Sequence, residues 1–547
     1  MASPDGATRP SFNADQPDSQ SQLLQHDSTL TVGQSTTLTL GSDALVIAGE
    51  QRLTIHACRA WLHIAHSNEL LVPLQTIAPR ENRTAAAAGS CQSRVGFSIT
   101  SLFCLFDFYH TKENRSIALY NILHAEVSSA GLTITYADPV TKHDVTVGAL
   151  QYTIADEDKA KAEAFTARLL DLAYGNAKRY KRFKVLINPF GGKGIASRLY
   201  HQYAAPILAA AHCAVEVEET THGGHATEIA EQIDIDAYDA IVCCSGDGLP
   251  YEVFNGLAKK PNARVALSKL AVAMIPGGSG NAMAWNLCGT GSVSVAALAI
   301  VKGVRTPMDL VSITQGKTRT LSFLSQSFGI IAESDLGTDN IRWMGAHRFT
   351  YGFLVRLMQR TVWPCDLAVK VEIDDKNAIK EHYRRYAAGE PPRHPSEDTV
   401  AGSGGLPDLK YGTVLDELPQ DWEVVPGENM GNFYAGNMAI VSADTNFFPA
   451  SLPNDGLIDV VTIDGNVSRL TSLKMMTEIP EGGFFDMPEV KIRKASAYRL
   501  TPRENEGYIS VDGERIPFEP FQVEVHRGLG TVLSKSGHLY EAEGPRP

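Results

Sequence analysis

Four short glycine-rich stretches carry the residues of this chain that could handle a phosphate. At Ser245-Gly-Asp-Gly248 an apolar strand runs into a turn whose two glycines let the backbone come close to a ligand, which a Cβ would obstruct. Asp247 then projects from the strand's carboxyl end, where a carboxylate can accept a proton. Taken alone the stretch also reads as a strand-turn-helix junction with Asp247 as an N-cap. Three further turns argue for more. Asn188-Pro-Phe-Gly-Gly-Lys-Gly194 lies between a strand and a helix, a unit that offers backbone N–H groups and the positive end of a helix to phosphate. It is not a Walker A loop, because Gly194 stands where Ser or Thr would follow Lys193. Thr220-Thr-His-Gly-Gly-His225 and Pro276-Gly-Gly-Ser-Gly-Asn-Ala282 complete the set. His222 and His225 form an HxxH with no further ligand nearby, so no metal site is assigned.

The elements between these turns alternate. Strands at Val185 to Ile187, Ala214 to Glu219, Ile241 to Cys244 and Leu270 to Ile275 are followed by helices at Ile195 to Ala211, at Ala226 to Ile233, and at a segment closing on Leu257 with Tyr251, Phe254 and Leu257 at helical spacing. Glu252 sits on the first turn of that last helix. Such alternation requires right-handed crossovers and a mostly parallel sheet, with ligands collecting at the strands' carboxyl ends, where all four turns fall. From Leu321 onward β-type segments dominate, beginning with Leu321 to Ile330, and predict a second, largely antiparallel β domain. Helices at about 340–359 and 467–478 interrupt it, and 387–408, rich in Pro, Gly, Ser and charge, reads as a mobile insertion.

Upstream, the first residues are too poor in apolar side chains to offset chain entropy and read as a disordered tail. Short β-type runs from Leu30 to about Gln151 precede an amphipathic helix with Ala162, Phe165, Leu169, Leu172 and Ala173 on one face. That order of elements resembles a pleckstrin-homology-type barrel. The predicted organisation is a tail over 1–29, a pleckstrin-homology-like β domain with a C-terminal helix over 30–176, an α/β nucleotide-binding domain over 177–310 and a β-sandwich over 311–540. The cluster Lys178-Arg-Tyr-Lys-Arg182 between the first two domains reads either as a solvated linker or as a membrane-surface contact.

With 547 residues, 44% of them hydrophobic, the chain can bury several cores. Its 62 acidic residues against 49 basic ones, a net charge of −13, argue against a nucleic-acid partner. No apolar run approaches the roughly 18 residues that span a bilayer, and the N-terminal stretch lacks the apolar centre of a signal peptide. A cytoplasmic protein is expected. The eight cysteines include no CxxC pair, and Cys243 and Cys244 read as small core residues.

With Asn188 to Gly194, Ser245 to Gly248, Pro276 to Ala282 and Val511-Asp-Gly-Glu514 in this order, the chain resembles the diacylglycerol-kinase catalytic family, and within it the sphingosine (sphingoid long-chain base) kinases. Ser245 and Leu249 are the sphingosine-kinase form of the central motif. The resemblance covers roughly Arg182 to Ser534. It implies that Asn188, Pro189 and Phe190 help hold a nucleotide, with Gly191, Gly192, Lys193 and Gly194 shaping the loop. It places Thr220, Thr221, His222, Gly223 and Gly224 near adenosine and phosphates, Gly278, Ser279 and Gly280 at the phosphates, and Glu252 at the nucleotide site. Asp247 would be the general base, with Ser245, Gly246 and Gly248 lining the acceptor. Asp335 would bind the amino-alcohol head, Arg342 and Arg348 would pair phosphates, and Asp512, Gly513 and Glu514 would return the chain's end to the nucleotide.

The expected activity is transfer of the ATP γ-phosphate, with Mg²⁺, to the primary hydroxyl of sphingosine, dihydrosphingosine or phytosphingosine. Alternatives are a ceramide or diacylglycerol kinase, and a catalytically inactive lipid-binding adaptor. The segment from Arg348 to Gln359 has a broad apolar face, suited either to a buried core helix or to a lipid gate. Peripheral contact with anionic membranes is expected, and a homodimer is left open. If the strand Phe328 to Ala332 continues, Glu333 shares a face with Asp335.

Overall fold

The computed structural model describes residues 28–33, 36–57, 106–192, 194–338, 341, 344, 347–359, 361–390, 404–443, 445–480 and 482–547, with backbone alone for 50–57 and 106–113. The expected tail, apart from its last residues, lies outside this set, as do Lys193, Arg342 and the centre of the expected insertion. Thr29 already opens a strand.

By contacts the chain forms two compact units, one of residues up to 118 with 152–165, the other of 119–151 with 166–547. The first contains a four-stranded antiparallel sheet, Thr29–Val32, Thr36–Leu40, Ala44–Ala57 and Phe106–Ala118, whose Leu30, Val32, Leu38, Leu45 and Ile47 are buried. The second begins with a three-stranded sheet, Ile122–Ser128, Gly131–Pro139 and Val145–Tyr152. The helix Lys159–Tyr174 follows.

In the second unit the strands Ala214–Glu219, Arg182–Ile187, Ala240–Ser245 and Ala271–Pro276 lie side by side, all parallel. Two of the inner strands, Ala240–Ser245 and Ala271–Pro276, are buried at every residue, which is why their sequences are almost continuously apolar. Ala214–Glu219 forms the edge. Its Glu216 and Glu218 flank Lys184 at 2.6 and 2.7 Å, and such charge on an edge strand discourages pairing with another chain.

The sheet does not stop where the nucleotide-type domain was expected to. Phe521–Ser534 pairs in parallel with Ala271–Pro276 through Val272 and Val532, and antiparallel with Val304–Gln315 along nearly its whole length. Its first residues also pair with Val490–Pro502. From there the sheet continues antiparallel through Ile458–Asp464, Met430–Gly436, Ser325–Gly329, Ile509–Val511 and Glu514–Ile516. The β domain is therefore continuous with the parallel sheet.

Three local readings need correction. The expected strand through Ile330 to Ala332 ends at Gly329, whose φ of 92° only glycine adopts readily and whose Cβ would lie 2.8 Å from the Gly431 carbonyl. A helix, Ile330–Leu336, follows. Residues two apart on a helix point in nearly opposite directions, so Glu333 does not share a face with Asp335: it approaches Arg356 at 3.4 Å, whereas Asp335 meets Arg348 at 3.1 Å. The helix expected from about 340 is His347–Gln359, and the one expected from 467 is Arg469–Glu478, capped by Ser468. A further helix, Lys376–Ala387, went unread although Asp375 caps it by accepting the Ala378 N–H. Its His382 reaches Asp455 at 3.0 Å, and Asp455 lies 3.3 Å from the fully buried Lys494.

The basic cluster is occupied by structure. Lys178 and Arg182 pair with Asp239 at 2.7 and 3.7 Å, and Arg179 with Asp171 at 2.6 Å. Lys181 is buried and donates to the carbonyls of Lys178 and Val301. Close by, Lys302 ends the helix Val293–Lys302 and donates to the Ile122 carbonyl at 2.5 Å and the Ala173 carbonyl at 3.0 Å, with its ammonium 3.5 Å from the Tyr174 ring centre. This one side chain ties the three-stranded sheet and the end of the helix Lys159–Tyr174 to the nucleotide-type domain.

Burial pulls the Lys302 ammonium down to about 7. The folded protein thus releases its proton near neutrality, whereas the unfolded chain holds it to about 10.4. Stability should rise from pH 7 to pH 9 as this penalty disappears. Lys302→Met, which leaves two buried carbonyls without a donor, should lose about 2–4 kcal/mol and flatten that rise, read by urea denaturation at several pH values.

Candidate active site

Three glycine turns meet at the carboxyl ends of the parallel strands, and they meet backbone to backbone. A Cβ on Gly278 would lie 2.4 Å from the Gly246 Cα, one on Gly192 would lie 2.5 Å from the Gly277 carbonyl oxygen, and one on Gly191 would lie 2.6 Å from Ser245 Oγ. At Gly192 and Gly278, where the facing atoms are backbone, no other residue type fits without moving a loop. Asn188 Oδ1 accepts the Phe190 N–H at 3.0 Å and braces the first turn. Asn281, at a φ of 55°, accepts the Gly278 N–H at 2.8 Å and donates to the Gly278 carbonyl at 3.0 Å, which closes the third. The sequence displayed Asn281 within the motif, and its αL backbone is one that Asn tolerates better than most residues.

Asp247 does not cap its own helix, Gly248–Ala258. Its Oδ2 accepts the Ala282 N–H at 3.0 Å and its Oδ1 the Met283 N–H at 2.9 Å, so the carboxylate spans from the second turn to the start of the helix Ala282–Cys288. Burial pushes its carboxyl above the usual carboxylate range, against the pull of these donors. The side chain is anchored, and its affinity for a proton is raised. Glu252 accepts the Ala226 N–H at 3.1 Å, which joins its helix to His225–Gln232.

These turns form one end of a cavity of about 930 Å³. Its walls include Asn188, Phe190, Gly191, Gly192, the whole of Ser245 to Gly248, Glu252 and Gly278 to Gly280. Phe190 is 78% exposed, an aromatic face held out at the rim. Pro189 and the turn Thr220 to Gly224 do not contribute to the walls. Thr220 is buried and donates its N–H to the Ile187 carbonyl at 2.8 Å, Thr221 donates its N–H to His225 Nδ1 at 3.2 Å, and His222 bonds Glu228 at 3.2 Å. This turn is held by the strand Arg182–Ile187 and by the helix after it. Among the described residues no three or more His, Cys, Asp or Glu side chains converge as metal ligands.

Asp335, Arg348, Asp512, Gly513 and Glu514 also line the cavity. The Arg348 guanidinium, 8% exposed, meets the Asp335 carboxylate at 3.1 Å, donates to the Asp335 carbonyl at 3.0 Å and lies over the Phe349 ring. Asp512, in the left-handed region with a φ of 52°, accepts from Ser322 Oγ at 2.5 Å and from the N–H groups of Phe323, Leu324 and Ser325 at 2.9–3.0 Å. Burial pushes its carboxyl up to about 6, so it remains ionised at neutral pH. Asp512 thereby fixes the hairpin that presents Gly513 and Glu514, and a Cβ on Gly248 would lie 3.0 Å from Glu514 Oε1. The far end is apolar: Phe353 and Leu357 from His347–Gln359, Met475 and Ile479 from the neighbourhood of Arg469–Glu478, and Phe447, Ile463 and Phe484.

The comparisons agree with the order of these parts. The family described as "Diacylglycerol kinase catalytic domain" matches residues 182–313, "YegS C-terminal NAD kinase beta sandwich-like domain" matches 430–534, and a "Domain of unknown function (DUF7493)" matches 28–175. The chain is similar to "Sphingoid long chain base kinase 4" of Schizosaccharomyces pombe, 35% identical over 81% of this chain and 93% of that protein. It is also similar to "Sphingoid long chain base kinase 5" of Saccharomyces cerevisiae, 36% identical over 69% of this chain, a match that spans 62% of the yeast protein's length. "Sphingosine kinase 1" of Arabidopsis thaliana is 29% identical over 70% of this chain and 80% of that protein. A diacylglycerol-kinase catalytic domain followed by a YegS-type β-sandwich, with this similarity along most of the chain, makes it a member of the sphingoid long chain base kinase family.

Proposed function

We propose that the chain transfers the γ-phosphoryl group of ATP to the primary hydroxyl of a sphingoid base. The observation that carries this reading is a cavity lined together by phosphate-type glycine turns with Asp247, by a carboxylate and a guanidinium, and by a group of apolar side chains. A long-chain amino alcohol about to receive a phosphoryl group presents the same three kinds of chemistry. Its chain needs an apolar pocket, and its ammonium, stripped of water, needs a carboxylate.

Phosphoryl transfer needs positioning and charge neutralisation more than covalent chemistry. In the proposed reaction the N–H groups of the turns at 191–192 and 278–280 hold the phosphates. Asp247 takes the proton of the acceptor hydroxyl, whose oxygen then bonds to the γ-phosphorus as ADP leaves. Mg²⁺ arriving with the nucleotide would be held by Asp247 and Glu514, the carboxylates at the turns, and would neutralise phosphate charge. The Asp335 carboxylate serves the substrate ammonium while its Arg348 partner remains available to phosphate. Among the described residues before 175, seven strands and the helix Lys159–Tyr174 support a pleckstrin-homology-type reading of that region.

Cytoplasmic residence with peripheral membrane contact is part of the same proposal, and it rests on the helices over the apolar end of the cavity. Tyr351, Leu354 and Met358, the last 65% exposed, lie on His347–Gln359, and Leu470, 80% exposed, lies on Arg469–Glu478. Arg469 donates to the Leu357 and Met358 carbonyls at 3.1 and 3.3 Å, so the start of the second helix meets the end of the first. The basic cluster contributes little to this reading, since its charges are paired. No single described helix is long and apolar enough to cross a membrane.

Assay of sphingoid base, ceramide and diacylglycerol side by side tests the function: phosphorylation confined to the free-amine acceptor is expected, and equal use of the other two would overturn it. Asp247→Asn should lower turnover by roughly two orders of magnitude or more with ATP binding nearly intact. Because the rate falls as Asp247 is protonated, the acid limb of the wild-type profile should lie above about pH 4, the ordinary carboxylate value. Asp335→Asn should raise KM for sphingosine roughly 30-fold or more and far beyond its effect on ATP. Glu333→Gln, turned toward Arg356, should leave sphingosine KM near the wild-type value. Liposome flotation should bring the protein up with anionic vesicles, and Met358→Glu combined with Leu470→Glu should keep it down.

A further inference from the structure

Asn432 is a polar side chain in the wall of the cavity that nothing among the described residues satisfies. It is 2% exposed, and both its Oδ1 and its Nδ2 are buried without a hydrogen-bond partner. A buried carboxamide left so is costly, and such groups persist where a ligand completes them. Neither the proposed phosphoryl transfer nor recognition of the ammonium uses it.

Its place along the cavity says what it could meet. Asn432 lies on Met430–Gly436, opposite Gly329 on one side and Ile463 on the other. Gly329 immediately precedes the helix that carries Asp335, and Ile463 belongs to the apolar wall. One pleat away on the same face, roughly 7 Å along the strand, Tyr434 accepts from Ser325 Oγ at 3.4 Å, and the Ser325 N–H in turn bonds Asp512. Asn432 therefore stands where the polar middle of the cavity gives way to its apolar end. A substrate whose amine sits at Asp335 would pass its next few carbons by this position.

We propose that the Asn432 carboxamide reads a hydroxyl on the sphingoid backbone just beyond the amino-alcohol head, that is, the C4 hydroxyl which distinguishes 4-hydroxylated bases from the saturated base lacking it. The inference deepens the kinase reading and rests on it. A hydroxyl is one donor and two acceptor lone pairs, and a carboxamide with a vacant carbonyl oxygen and a vacant N–H₂ can engage both functions at once. The C3 hydroxyl neighbours the amine and falls to the Asp335 and Arg348 surroundings. The C4 hydroxyl is the further polar group that would otherwise be carried toward apolar walls. A base without it leaves the amide unpaired and excluded from water, and sites built to bond a substrate hydroxyl discriminate against analogues that lack it.

The test is kcat/KM of the full-length protein for phytosphingosine and for dihydrosphingosine, which differ in this one hydroxyl. The wild type should prefer phytosphingosine by roughly 10- to 100-fold. Asn432→Leu, close in volume, should bring the ratio toward 1 with the loss falling on phytosphingosine, while KM for ATP is little changed and the thermal midpoint of the free protein does not fall. Asn432→Ser, which keeps one donor and acceptor at shorter reach, should give an intermediate ratio and serves if the leucine variant does not fold. A wild-type ratio near 1, or a preference that survives in Asn432→Leu or Asn432→Ser at full strength, would overturn the assignment while leaving the kinase reading intact. Failure of the wild type to phosphorylate either base would overturn both.

Discussion

Where the three glycine turns converge there is no room for a β-carbon, and the rest of the site follows from that contact. The backbone of 277–278 presses on Gly246 and on Gly192 at distances that only hydrogen atoms can fill. Loops packed so closely cannot shift independently, so the N–H groups they present keep a fixed spacing. The Asp247 carboxylate adds a second tie by reaching from its own turn to the N–H groups of Ala282 and Met283. A carboxylate held at both oxygens does not have to be ordered when a ligand arrives, the preorganisation that the proposed proton transfer calls for.

The middle of the cavity is organised differently, through charge. Arg348 and Asp335 are both largely withdrawn from water and each compensates the other. A buried pair of this sort is weakly stabilising at best against an apolar alternative, but removing either partner strands the other. The pair is thus well placed to be shared with a substrate that brings one positive and one negative group, because each half already needs a counter-charge. Asp512 solves its own burial with four donors, and its role in the protein is to shape the hairpin that carries Gly513 and Glu514.

How far the sequence could be read depended on whether a feature is local. The glycine turns, the parallel strands and Asp247 are local, since turn, strand and helix each leave a pattern within a dozen residues. The helix Ile330–Leu336 was misread because Ile330, Ile331 and Ala332 form a short apolar run that periodicity alone cannot assign, and the decisive fact, the approach of Gly431 to Gly329, comes from a strand a hundred residues away. Lys178 to Arg182 looked like a free basic patch for the same reason: Asp171, Asp239 and the carbonyl of Val301 are brought to it by the fold. The turn Thr220 to Gly224 shares its composition with the others, yet bonds to the strand Arg182–Ile187 and the helix after it and stays out of the cavity walls. Asn432 lies in a strand pattern like any other, and its lack of partners is visible only in three dimensions.

Phe521–Ser534 is hydrogen-bonded at one end to the parallel strands and at the other to the antiparallel ones. Many two-domain enzymes admit their ligands by swinging the domains apart about a flexible connection. Here such a swing would have to shear a ladder that runs from Val304 paired with Ser534 to Thr314 paired with Gln522. The cleft between turns and β domain is accordingly of fixed gauge, and the helices His347–Gln359 and Arg469–Glu478 stand outside that ladder. A single continuous sheet of this kind holds the glycine turns at a constant distance from the antiparallel strands beyond them.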